Sequence, residues 1–200
     1  AVTGRAVVET GYQDITVERV GGDVRLVSKH GDVRAADVAG AVYAEARFDD
    51  VELERIGGPV EVRVMHGGLQ ARGLEKGALV RTAGDDVIID GFKGGLDIQA
   101  ERGGVRLTPA APVSEAISVQ ATHGGIELTV PEGSRFTLDA SAQHGEVVAN
   151  VAGFTTTQTG PLRVMGTIGG GGASVTLSAE GGNVELRSTA MVAATESRPR

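Results

Sequence analysis

Cysteine and tryptophan are absent from the chain, and aromatic residues account for only 3% of its 200 positions. Without cysteine no disulfide can staple the fold, and the redox compartment is left undetermined. No apolar run approaches the length of a membrane helix, and no stretch has the form of a signal peptide. Basic residues are also in short supply, with 19 Lys and Arg against 26 Asp and Glu and a net charge of −7. No basic stripe appears, which argues against a nucleic-acid surface, because phosphate binding needs clustered cations.

Catalytic signatures are missing as well. There is no GxSxG elbow, no P-loop and no HExxH. The run GTIGGGGAS (166–174) has no Lys-Ser or Lys-Thr after it, so it reads as a corner and cap and not as a phosphate cradle. The GGxGxD repeat of calcium β-rolls does not occur. Polysaccharide lyases and hydrolases built on β-helices carry grouped acids and bases on long side loops, whereas the loops here are mostly tight turns.

What the sequence does contain is a repeat of 18 residues, clearest between Gly22 and Gly94. Val24, Val42, Val60, Ala78 and Leu96 fall in one column, and Leu26, Ala44, Val62, Val80 and Ile98 in the next. A third column holds Ile15, Val33, Val51, Leu69, Val87 and Val105, and a fourth holds Val17, Ala35, Leu53, Ala71, Ile89 and Leu107. Val20, Val38, Ile56, Leu74 and Phe92 form the fifth. Alternation by two within the first pair of columns and within the second pair is the signature of half-buried strands. Each unit is therefore strand, turn, strand, turn.

A unit so short cannot bury its apolar face alone, so successive units must stack and share a core. The prediction is an all-β fold, a single parallel β-solenoid with two short strands per rung. A meander of hairpins also spaces its turns evenly, but it does not require identical columns. About ten rungs at ~4.8 Å would give a rod on the order of 45 Å. The narrow core explains the lack of rings. Glycine, at 31 residues, falls at regular corners, and the column Gly4, Gly22, Gly40, Gly58 and Gly94 suggests turns with positive φ.

The solenoid is expected over residues 1–188, with 189–200 a disordered tail. The register jumps by three at Thr108–Ala116. Ile117, Val119, Ile126 and Leu128 make the next rung, and Phe136, Leu138, Val147 and Ala149 the one after it. The pattern blurs over 150–173, read as an irregular crossover or cap that could fold over one end. Val175, Leu177, Val184 and Leu186 then make what reads as the final rung. Because the pattern is already running at Ala6 and Val8, a native N-terminal signal or anchor is expected to lie outside this sequence.

Outward columns alternate in charge, as in Arg34 before Glu52 and in Arg19, Asp37 and Arg55, which favours pairing between neighbouring rungs. One turn column reads Tyr12, His30, Phe48 and His66, continuing to Gly84, Arg102, His123 and His144. Its architectural reading is a ring stack over the solenoid edge. Its functional reading is a surface strip for a sugar or a peptide. His123 and His144 have only Glu146 nearby to complete a ligand set, so no metal site is assigned. Two positions further come Asp14, Asp32, Asp50 and Asp86, with Asp49 and Asp85 beside two of them. Turn capping is the ordinary role for such residues, with calcium as the alternative. No catalytic residue and no cofactor is assigned.

The repeated GDV units, the Thr-rich and Gly-rich crossover, and the closing GTIGGGGASVTLSAEGGNVELRS (166–188) resemble the bacterial adhesin-type family that is classed as a domain of unknown function. The similarity covers nearly the whole chain. It implies a β-solenoid on bacterial envelope proteins, with no established catalytic residues to carry over. The expected function is a non-enzymatic envelope or cell-surface scaffold or adhesion-type module, partnered by a cell-envelope protein or a carbohydrate. The alternatives are a self-assembling filament like the bactofilins, made by homo-oligomeric contact through solenoid ends or edges, and, third, a carbohydrate-active enzyme.

Overall fold

The structure is a computed structural model and describes residues 4–189. Seven rungs follow one another in chain order. They pair β1 (Ala6–Thr10) with β2 (Ile15–Val20), β3 (Val24–Ser28) with β4 (Val33–Val38), and β5 (Val42–Ala46) with β6 (Val51–Ile56). Next come β7 (Val60–Val64) with β8 (Leu69–Leu74), β9 (Ala78–Thr82) with β10 (Val87–Phe92), β11 (Leu96–Arg102) with β12 (Val105–Pro109), and β13 (Ile117–His123) with β14 (Ile126–Val130). The first strand of every rung joins one parallel sheet and the second joins another. The expected registers are met, with Val24 opposite Val42 and Val33 opposite Val51.

The apolar columns face inward between the two sheets. Val33, Val51, Leu69 and Val87 are all buried, as are Leu26, Ala44, Val62 and Val80. Val17, at the first rung, is only partly buried. In the second sheet the inward residues run 15, 17, 20, so one interval is three residues and not two. The extra residue is absorbed at Arg19, Asp37 and Arg55, which take left-handed φ of 55°, 56° and 54°. The next two rungs place Gly73 and Gly91 there, both at φ 69°. This recurrent bulge turns Val20, Val38, Ile56, Leu74 and Phe92 back into the core.

The glycine column at the other corner is corrected in its cause. Gly22, Gly40 and Gly58 do not have positive φ; only Gly94 in that column does, at 97°. Glycine is needed because successive corners touch: a Cβ on Gly40 would lie 2.5 Å from the carbonyl carbon of Gly22.

Beyond the seventh rung the order departs from the expected ten successive rungs. The chain passes to β15 (Phe136–Ala142) and β16 (Val147–Asn150), then to β17 (Phe154–Thr159), β18 (Arg163–Ile168), β19 (Ala173–Ala179) and β20 (Val184–Ser188). The β19–β20 rung does not end the stack. It lies between β13–β14 and β15–β16, paired in parallel on both sides. The repeat pattern shows that 175–186 forms a rung but carries no mark of its level, since every level offers the same neighbours. The 150–173 segment is an antiparallel hairpin, β17 with β18, added beside β15 at the end of the first sheet. The first sheet thus has eleven strands and the second nine, a rod of roughly 48 Å. Of the tail expected at 189–200, all but Thr189 lies outside the described residues.

Candidate functional site

The ring column occupies the turns between the two strands of the first four rungs. Tyr12 stacks on His30 with centroids 5.2 Å apart and planes 9° apart. His30 stacks on Phe48 at 4.5 Å and 4°, and Phe48 on His66 at 5.4 Å and 21°. These distances follow from the spacing between rungs, which is close to that of offset-stacked rings. The ladder presents ring edges to solvent along its length. Tyr12 is 85% exposed, and no ring covers its outer face among the described residues.

Two residues on, the acidic column caps the turns. The Asp32 amide donates to Asp14 Oδ1 at 3.0 Å and the Asp50 amide to Asp32 Oδ1 at 3.3 Å. The Gly68 amide donates to Asp50 Oδ1 at 2.7 Å, and the Gly104 amide to Asp86 Oδ1 at 2.6 Å. Asp49 Oδ2 accepts from the Gly31 amide at 2.7 Å. Each of these five carboxylates accepts from an amide one rung away, which is how stacked like charges coexist. Beside this column a shallow groove runs over the outer face of the second sheet, with Thr16, Arg34, Glu52 and Gln70 in its floor.

The sequence pairs Arg34 with Glu52 and Asp37 with Arg55, and both ion pairs form. The hydrogen bond from Arg55 holds the Asp37 carboxyl below the usual carboxylate range. The guanidinium groups of Arg55, Arg163 and Arg187 are pushed up by hydrogen bonds to Asp37, Asp139 and Glu185 respectively. All four groups belong to surface ion pairs.

His123 and His144, which the sequence places in one column on consecutive rungs, are not neighbours. The turn of the inserted rung separates them, and His144 Nδ1 lies 3.0 Å from the Glu180 carbonyl while His123 Nδ1 lies 3.1 Å from that of Glu101. A further cluster escaped the sequence reading, although its 18-residue spacing was there to find. On the outer face of the first sheet, Arg25 stacks over the Tyr43 ring at 4.2 Å, Arg63 approaches its centroid at 5.9 Å, and the Tyr43 hydroxyl donates to Glu45 Oε2 at 3.0 Å.

The profile of the Toastrack DUF4097 family matches residues 7–187. The chain belongs to the Toastrack DUF4097 family. Toastrack DUF4097 is a domain of unknown function, so membership identifies the solenoid and brings no assigned site. The match extends through the inserted rung and the hairpin as well as the seven regular rungs. No curated protein and no solved structure matches the chain.

Proposed function

We propose that this Toastrack domain is a non-enzymatic scaffold or adhesion-type module of the bacterial cell envelope or cell surface. Its partner is a cell-envelope protein or carbohydrate, contacted at the corner of Tyr12, His30, Phe48 and His66. The observation that supports this is the exposed ring ladder lying beside the carboxylate column. Rigid, regularly spaced apolar edges next to acceptor oxygens suit a long, repetitive partner, and a stiff rod presents them without an ordering cost. Beside the rings, Asp14, Asp32, Asp49, Asp50 and Asp86 are committed to caps and Glu52 to its ion pair with Arg34, which suits a binding surface better than a proton-transfer site. For the bactofilin-like filament, the β17–β18 hairpin at one end of the first sheet stands against end-to-end stacking there.

The test is co-sedimentation of the purified chain with isolated bacterial cell-wall polysaccharide, with reducing ends assayed in parallel. Binding is expected to fall at least about tenfold in Tyr12→Ala/Phe48→Ala, corresponding to roughly 1.4 kcal/mol, with no reducing ends released. Unchanged binding in the double variant overturns the assigned corner. Release of reducing ends favours the enzyme reading.

A further inference from the structure

The inserted rung is attached to its surroundings differently from every rung before it. In the first sheet β19 lies between β13 and β15, with Val175 opposite Ile117 on one side and Leu138 on the other. In the second, β20 lies between β14 and β16, with Val184 opposite Ile126 and Val147. Its turn is held in the same way: the Glu180 amide donates to Ala121, and the Gln143 amide donates to Ala179, both at 2.9 Å. Val175, Leu177, Ala179, Val184 and Leu186 are all buried.

Both walls of this slot precede their occupant in the chain. After β14 the loop 131–135 steps across two levels, leaving one empty. It is anchored below by Arg135, whose amide donates to the Val113 carbonyl at 3.1 Å, and by Ser134 Oγ, which accepts from the Val113 amide at 3.0 Å. The chain then builds β15, β16 and the hairpin before β19 returns to fill the gap. Among the described residues, the inserted rung is joined to the body only through Gly169–Gly172. Three of these glycines have left-handed φ of 62°, 85° and 88°. Each earlier rung between the first and the seventh is tied to neighbours at both of its ends, and so could leave the stack only by unthreading.

We infer that the slot between β13–β14 and β15–β16 is an acceptor site for the β19–β20 rung of a second copy of this chain, giving a dimer in which each copy closes the other. The occupant is a second copy of this chain because that copy carries the rung that already fills the slot, with the same registers and the same buried side chains. Only the glycine segment has to change conformation, and glycine adopts extended or left-handed φ at little steric cost. Closure within one chain is favoured by an effective concentration in the millimolar range. Exchange therefore grows where chains are concentrated, and it is captured when the stack forms with the slot still open.

Because the chain lacks cysteine, a thiol placed at each wall gives a clean readout. Full-length Ser118→Cys and isotope-labelled Thr176→Cys chains, register partners on β13 and β19, are unfolded together in urea and refolded at increasing concentration. A short bis-maleimide then links adjacent thiols, and intact mass identifies mixed dimers. Gln120→Cys with Ser178→Cys, also register partners, repeats the measurement should either first variant fold poorly. Arg25→Cys with Tyr43→Cys, partners on β3 and β5, is the control, because those strands lie in rungs tied at both ends. The expected result is a mixed-dimer yield that rises in proportion to chain concentration for the slot pairs while the control stays at background. Slot pairs that stay at the control yield at every concentration overturn the inference.

Discussion

Replacing Val51 by Asp and its neighbour Glu52 by Lys tests the assignment of faces. Val51 is 1% exposed and lies in register between Val33 and Leu69. Removing it from the core forfeits roughly 1.5–3 kcal/mol of apolar burial. Burying a carboxyl without a hydrogen-bond partner adds about 1–3 kcal/mol, even after the group has neutralised itself by protonation. The sum of about 3–6 kcal/mol is a large part of an ordinary folding stability of roughly 5–15 kcal/mol. Glu52 lies on the opposite face and pairs with Arg34 at 3.0 Å, both side chains being partly exposed. Glu52→Lys loses that pair and sets two cations opposite each other, at about 1 kcal/mol or less. The assay is urea unfolding followed by circular dichroism. With a slope near 3 kcal/mol/M, Val51→Asp lowers the midpoint by roughly 1–2 M and Glu52→Lys by about 0.3 M or less. The Val51→Asp deficit shrinks on acidification, because burial raises that carboxyl's pKa and the neutral form is the one the folded state tolerates. Comparable midpoints for the two variants would refute the reasoning.

Arg19 has left-handed φ and one distant ion pair, to Glu18 at 3.8 Å, so Arg19→Gly should raise stability by about 0.5–1 kcal/mol, read as a higher melting temperature. Gly73→Ala should cost about 1 kcal/mol in the same assay, and by conformation alone, since its Cβ would meet nothing closer than 3.6 Å. Asp50→Ala removes the acceptor of the Gly68 amide and should cost about 1 kcal/mol; millimolar calcium should not shift the melting temperature of the parent chain, and a large upward shift abolished by Asp32→Asn would reassign the acidic column to a cation. The hydrogen bond from Arg55 depresses the Asp37 carboxyl, so its contribution is present above the unfolded pKa and lost as pH falls through the folded one. Asp37→Asn should therefore make the acid limb of the stability profile shallower, as measured by urea midpoints between pH 5 and 2.

The sequence by itself determined the rung. Strict alternation in two short strands, repeated at 18-residue spacing, can be satisfied only by stacking like on like. The columns from Val24 to Leu96 and from Ile15 to Val105 were therefore legible as core, and Tyr12, His30, Phe48 and His66 as a line of rings, because in-register stacking turns sequence period directly into neighbourhood. The acidic column was legible as a set of caps for the same reason. Tertiary structure alone decided the order of levels. A rung's inward residues follow the same pattern at every level, so nothing in Val175–Leu186 says that it enters below β15–β16, and His123 and His144, which follow one another in the turn column of the sequence, are set apart by it. The bulge was also hidden, since a left-handed backbone at Arg19, Asp37 and Arg55 is imposed by the need to turn the following apolar residue inward, against the preference of those residue types. The corner glycines were visible as a column, but their cause, a corner-to-corner contact at Gly40 too close for any Cβ, exists only once the rungs are stacked.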